Sequence, residues 1–267
     1  MNDNTNYKIE EIRDGIYKIS EYNIANCYLV IGSEKAMLID CTVGTGDMRS
    51  LVRSITDKPI ILVGTHSHID HIGAARQFGK VYVHNKEALY APLQQLYLMR
   101  SQYLKMHPLS KKLGLDYKHF PKNKPYLTIK PFSNGHEFDI GGRKIKAYLT
   151  PGHTVGSTCF KIENENIVFV GDSLIPALYL IYDHAASLSK WTNAVNSLLP
   201  LWNSCEFYGG HGRGAVDHDG LRWQIETAEK IISQTKKNDS PFKRKNVTVK
   251  NENDPHIVVA YRTDKIL

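Results

Sequence analysis

THSHIDH, residues 65 to 71, places four metal-ligating side chains, His66, His68, Asp70 and His71, within six consecutive positions. The run before it, IILVGT at 60–65, is apolar and short and reads as a buried strand, so the cluster lies at a strand's C-terminal end. In a turn leaving a strand, His66 and His68 at i and i+2 can converge on one ion while Asp70 and His71 turn toward another point. A helical H-E-x-x-H site is excluded, because it needs an i, i+4 pair with an adjacent Glu.

Outward from this turn, IGAARQFG at 72–79 reads as a helix closed by Gly79, and VYVH at 81–84 as the next strand. From Asn85 to about Tyr103 the spacing of Leu89, Leu93, Leu96, Met99 and Tyr103 is helical, and core or lid packing is expected. Upstream, GIYKIS (15–20), ANCYLVIG (25–32) and KAMLID (35–40) read as antiparallel strands, and DMRSLVRSIT as a short amphipathic helix. Downstream, PYLTIKPF, RKIKAYLT, STCFKIE, NIVFVG, CEFYGG and HIVVAYR read as strands. SLSKWTNAVNSLL and a segment from about Asp219 to Lys236 read as helices. No literal repeat and no linker separates the mixed halves, so the expectation is α+β: two sheets face to face with helices outside. One domain over 1–267 is expected, with 85–125 as a helical insertion and candidate lid.

Three more candidate ligands each follow a strand and stand among small residues: His153 in TPGHTVGS, Asp172 in FVGDS and His211 in YGGHGRG. Glycine permits the tight turns and close approach such loops need. A lone histidine is more often structural; seven donors in this pattern are not. The set T-H-S-H-I-D-H, P-G-H-T, G-D-S and G-G-H-G resembles the metallo-β-lactamase superfamily, and its glyoxalase II and lactonase branch more closely than its secreted β-lactamases. That resemblance implies a four-layer αββα sandwich with the metals at one edge of the two sheets. It also implies that His66, His68 and His153 hold one ion, that Asp70, His71 and His211 hold a second, and that Asp172 bridges them. Asp40 in LIDC matches a family aspartate that braces the site loops.

The donor chemistry points the same way. Imidazole and carboxylate suit two Zn²⁺ and, less selectively, Fe or Mn. A water between two such ions can fall to a pKa of about 7, so a bridging hydroxide forms without a dedicated base. Such a hydroxide attacks a carbonyl carbon, with Asp70 as the group that orients it and carries its proton. The expected reaction is cleavage of a thioester, lactone or other carboxylic ester. The alternatives are a phosphodiesterase or nuclease of the same superfamily and a non-catalytic metal-binding sensor. Residues 213–267 supply one helix and a terminal strand, unlike the helical glutathione-binding domain of glyoxalase II. The loop LIPALYLIYDHAASLS after Asp172 supplies Tyr179, Tyr182 and His184 as candidate substrate contacts, and Tyr90, Tyr97, Tyr103 and Tyr117 of the insertion are further ones.

Composition sets the remaining bounds. The 267 residues carry 42% hydrophobic and 23% charged residues, which is ordinary for a globular enzyme able to bury a large core without disulfides. Cys27, Cys41, Cys159 and Cys205 form no C-x-x-C pair and read as buried thiols. The N-terminus has no basic, then apolar, signal pattern, so a soluble cytoplasmic protein without a membrane span is expected. The net charge of +7 gathers in Lys111-Lys112, Lys122 to Lys124, Lys236-Lys237 and Lys243 to Lys245, which read as solvated surface. The expected partner is a small acyl substrate and not nucleic acid, with a homodimer left open.

Overall fold

The computed structural model describes residues 7–121, 126–212, 214–235 and 244–267. The basic runs at Lys122 to Lys124 and Lys236-Lys237, with Lys243, lie outside them.

The chain begins with β1 (Tyr7–Arg13), β2 (Ile16–Glu21), β3 (Ala25–Ile31) and β4 (Ala36–Ile39), followed by α1 (Met48–Ile55) and β5 (Ile60–Val63). Then come α2 (Ile69–Ile72), α3 (Ala75–Phe78), β6 (Lys80–His84), α4 (Ala91–Gln94), α5 (Tyr97–Met106), α6 (Pro108–Lys112) and β7 (Thr128–Phe132). β1 to β7 lie side by side in chain order in one seven-stranded sheet, antiparallel through β4 and parallel from β4 to β7. The second half adds β8 (Glu137–Asp139), β9 (Lys144–Leu149), β10 (Thr158–Ile162), β11 (Ile167–Gly171), β12 (Ala177–Leu180), α7 (Leu188–Trp202) and β13 (Glu206–Gly209). It ends with α8 (His218–Gln234), β14 (Asn246–Lys250) and β15 (Val258–Arg262). The second sheet has the order β13-β11-β10-β9-β8, and β12-β15-β14 form a small third one.

Period-two alternation explains the layering. Along β4, Met37 and Ile39 face the second sheet and join Phe160, Ile145 and Phe169 in the intersheet core. Ala36 and Leu38 face the other way, onto Met48, Leu51 and Val52 of α1. The second sheet does the same, its outer Val168 and Val170 packing on Trp191, Val195 and Trp202 of α7 and Leu221 and Ile225 of α8. The result is the four-layer αββα sandwich.

Several elements differ from the sequence reading. β1 was not foreseen, because YKIEEIR is an edge strand with one buried end residue and a mostly exposed remainder, so it carries no hydrophobic period. The segment after Asp172 is not all loop: Ala177–Leu180 is β12, parallel to β15. The helix read over 72–79 is two short pieces, because the turn is stitched to the loop after β4, with Gly73 N–H donating to Thr42 O and Cys41 N–H to His71 O.

The insertion departs furthest. Its expected single stripe is divided among α4, α5 and α6 and a 3-10 turn at Asn85–Glu87. Leu89 (84%), Leu93 (52%) and Leu96 (49%) are exposed rather than packed. Pro92 and Pro108 each start a new helix, and Leu96 is extended at ψ 133°, so the register of the stripe is lost. What anchors the insertion is a different set: Leu104 and Leu115, packed with Ile24, Val43 and Ile69.

Candidate metal centre

The loops at one edge of both sheets bring all seven candidate ligands together. His66, His68 and His153 form one group, His66, His71 and Asp172 a second, and Asp70, His71 and His211 a third, with ligand atoms within 4.8 Å of one another in each. His66 Nε2 and His153 Nε2 stand 2.9 and 3.0 Å from His68 Nδ1. Asp172 lies between the groups, its Oδ2 3.0 Å from His211 Nε2 and 3.5 Å from His153 Nε2, its Oδ1 3.4 Å from His71 Nε2.

The outward ring atoms decide what the inward ones offer. His153 Nδ1 lies 2.9 Å from Tyr179 O and His211 Nδ1 2.7 Å from Ile24 O, so both carry their proton outward and turn an Nε2 lone pair inward. His71 Nδ1 does likewise toward Asp40 Oδ2 at 2.8 Å. Thr65 spends its one hydroxyl proton on Asp40 Oδ2 (2.8 Å) and can therefore only accept from His66 Nδ1 at 3.2 Å. Asp40, held at φ 62°, thus braces Thr65, His66 and His71 at once, with Oδ1 also accepting Thr65 N–H. His68 Nε2 contacts His184 Nε2 at 2.6 Å.

Inward-pointing lone pairs packed this closely need a cation among them. His71 Nε2 and Asp172 Oδ1 are buried without a hydrogen-bond partner, and metal coordination would satisfy both. The electrostatics favour positive charge at this point, which a bound cation would supply in place of the ring protons of His71 and His211. Burial opposes charge on His71 and His211, yet the carboxylates of Asp172 and Asp40 raise the first well above its ordinary value, and Asp172 and Asp70 push the second up to about 9. Burial also opposes ionisation of Asp172, but His211 and His71 hold it well below the usual carboxylate range. His66, His68 and His153 are lowered, mainly by burial, so these three rings are neutral at neutral pH and able to serve as ligands. The residues fit a metal ion.

The groups open on a cavity of about 890 Å³. Asp70, Tyr179 and Tyr182 line it, as do Tyr103 and His107 of the insertion. Tyr103 O–H donates to Asp70 Oδ2 at 3.0 Å. Tyr182 sits with its ring 5.1 Å from those of His68 and His153. His184 is placed differently from the sequence reading: it does not line the cavity but stands behind His68. His107 and His256 do line it, although no clustering in the sequence singles them out. Tyr90 lies against His184. The side chain of Tyr117 is outside the described residues. Gly210 shows why small residues flank the ligands, since a Cβ there would lie 2.6 Å from both Asp172 Oδ1 and His71 Cε1.

An αββα sandwich with a His/Asp metal-binding cluster at the edge of its sheets defines a class of hydrolytic metalloproteins. This chain belongs to the metallo-beta-lactamase superfamily, whose family model matches residues 22–211. Among curated proteins it is similar to the acyl-coenzyme A thioesterase MBLAC2 of Gallus gallus, 28% identical over 70% of this chain and 73% of that one. The Homo sapiens counterpart is 27% identical over 69% of each. The lactamase-like protein ptaB of Pestalotiopsis fici is 25% identical over 70% of this chain and 50% of its own length. Among solved structures, a metallo-beta-lactamase from Pontibacter korlensis superimposes with a TM-score of 0.60 at 20% identity, covering 82% of this chain and 97% of that one. The FIM-1 enzyme of Pseudomonas aeruginosa gives 0.59 at 19%, covering 84% and 96%. At such identities these two speak for the fold.

Proposed function

We propose that this chain is a two-metal hydrolase of carboxylic thioesters, with lactones and simple esters as chemically neighbouring substrates. The observation that carries this is the convergence of seven donors, five of which (His68, Asp70, His153, Asp172 and His211) line a cavity that also presents the apolar side chains of Ile69, Ile175, Ala177 and Val258. The name of the MBLAC2 relatives favours a thioester.

In this reading His66, His68 and His153 hold one ion, Asp70, His71 and His211 the other, and Asp172 both. Zn²⁺, or Fe or Mn, when bound there supplies a Lewis acid for the carbonyl oxygen and lowers the pKa of water. The chain's own residues do the rest. Asp70, kept in place by Tyr103, takes the proton released as water adds to the carbonyl carbon, and returns it to sulfur as the C–S bond breaks. Tyr182 donates to the carbonyl oxygen: burial, with Asp70 and Asp172 nearby, pushes its phenol up to about 12, so it keeps its proton at neutral pH. The apolar wall takes the acyl chain and excludes water.

The test is hydrolysis by zinc-loaded protein, with His153→Ala as control. The panel spans acyl-coenzyme A and acyl-glutathione thioesters, acyl-homoserine lactones, aryl esters and a phosphodiester. Thioester turnover that the control loses supports the reading. Activity confined to the phosphodiester overturns it.

A further inference from the structure

Glu87 is fully buried, yet it touches no candidate ligand and no wall of the cavity. It ends the 3-10 turn Asn85–Glu87 that opens the insertion after β6. Its Oε2 accepts the Ser67 N–H at 3.0 Å and also the Ser67 hydroxyl. Its Oε1 accepts the Gly156 N–H at 2.9 Å. Ser67 stands between His66 and His68, at the edge of the first sheet, and Gly156 lies in the His153 loop that leads into β10 of the second. One side chain therefore ties together the two loops that carry the three-histidine group.

The geometry points to a positioning role: we infer that Glu87 sets the separation of the His66/His68 loop from the His153 loop, and so the affinity of that group for its metal ion. This rests on the reading above that the group holds an ion. A buried carboxyl group is costly to desolvate, and three donors converging on it are what make the position tolerable. A carboxyl group suits the task because two equivalent oxygens on one rigid plane can accept from two loops at once. A carboxamide cannot, since its NH₂ would face one of the two backbone N–H donors. The fit at Gly156 is close enough to demand glycine, because a Cβ there would stand 2.5 Å from Glu87 Cγ and 2.7 Å from Oε1. One turn further along the same insertion, the Tyr90 ring lies 5.5 Å from that of His184, which backs His68. The insertion is thus part of the scaffold behind the histidines as well as a wall of the cavity.

The experiment compares the wild-type chain with Glu87→Gln. Stepwise Zn²⁺ affinities are read by competition with a chromogenic chelator, Co²⁺-shifted imidazole N–H signals by NMR, and thermal unfolding on metal-free protein. Glu87→Gln is expected to weaken one of the two binding steps about 10- to 100-fold. The shifted signals of His66, His68 and His153 should move while those of His71 and His211 stay. A purely structural role would lower the metal-free unfolding temperature and leave the affinities and spectrum alone, which overturns the inference. Should Glu87→Gln fail to fold, Ser67→Ala removes only the hydroxyl donor and is expected to weaken the same step about fivefold; unchanged affinity there also overturns it. Wild-type protein that binds no zinc defeats the metal reading itself, a result distinct from a wild type that binds two ions and a variant that binds them equally well.

Discussion

Asp40 is an aspartate in left-handed backbone, a conformation that costs a non-glycine residue on the order of 1 kcal/mol or more. The cost is offset because both its oxygens are engaged, by Thr65 and by His71. An amide in its place could offer His71 Nδ1 an N–H and drive the proton to the inward nitrogen. Asp40→Asn is therefore expected to lose about 10- to 100-fold in zinc affinity, as read by chelator competition. Tyr103→Phe removes a donor to a carboxylate and is expected to cost about tenfold in kcat, with a smaller change in KM, by steady-state kinetics. The four cysteines are buried and unpaired, and burial pushes the thiols of Cys27, Cys41 and Cys159 up. Folded protein should accordingly react slowly with a disulfide reagent and release all four thiols in denaturant. A wild-type protein that titrates its thiols at once would contradict this packing.

At the scale of elements, α7 links the outer helical layer to the candidate metal loops. Trp191 is fully buried, its Nε1–H donates to Ser173 O at 3.0 Å beside Asp172, and its ring lies directly under Gly152, next to His153. Trp191→Ala should cost about 3–5 kcal/mol of stability, seen as a lower urea midpoint. Both neighbouring ligand loops should loosen with it. The insertion shows how far element reading reaches. The leucine spacing is helical, and the segment is indeed helical in pieces, but four of the five residues whose spacing suggested burial, Leu89, Leu93, Leu96 and Met99, are exposed, and Tyr103 alone packs inward. Prolines restart the helix, and each restart resets which face turns inward. Edge strands such as β1 and β14 escape the same reading because little of their surface is buried.

For the whole molecule, the candidate ligands come from loops of both sheets, so ions there would join the two halves of the sandwich. Binding to the folded state alone stabilises by mass action, about 2.7 kcal/mol at a free ion concentration one hundred times Kd. Chelation should lower the Tm by roughly 5–10 °C, by calorimetry in metal-buffered solution, and zinc should restore it. No helix of the described residues is long and apolar enough to cross a membrane. Lys250 and His256 line the cavity as well.

The sequence by itself determined the layered class and where the metal-binding chemistry lies. Strand ends followed by clustered His, Asp and Gly are local patterns, and a strand buried on both faces reads as a short apolar run whatever it packs against. Only the tertiary structure decided which side chains stand behind the ligands. Apart from Asp40, which the resemblance already marked, Glu87, His184 and Tyr103 act across separations of up to 116 positions, as His68 to His184 does. Their roles depend on which loop lies over which, and no spacing along the chain encodes that. The same holds for His107 and His256, two histidines without local company that reach the cavity because the insertion and the third sheet fold over its mouth.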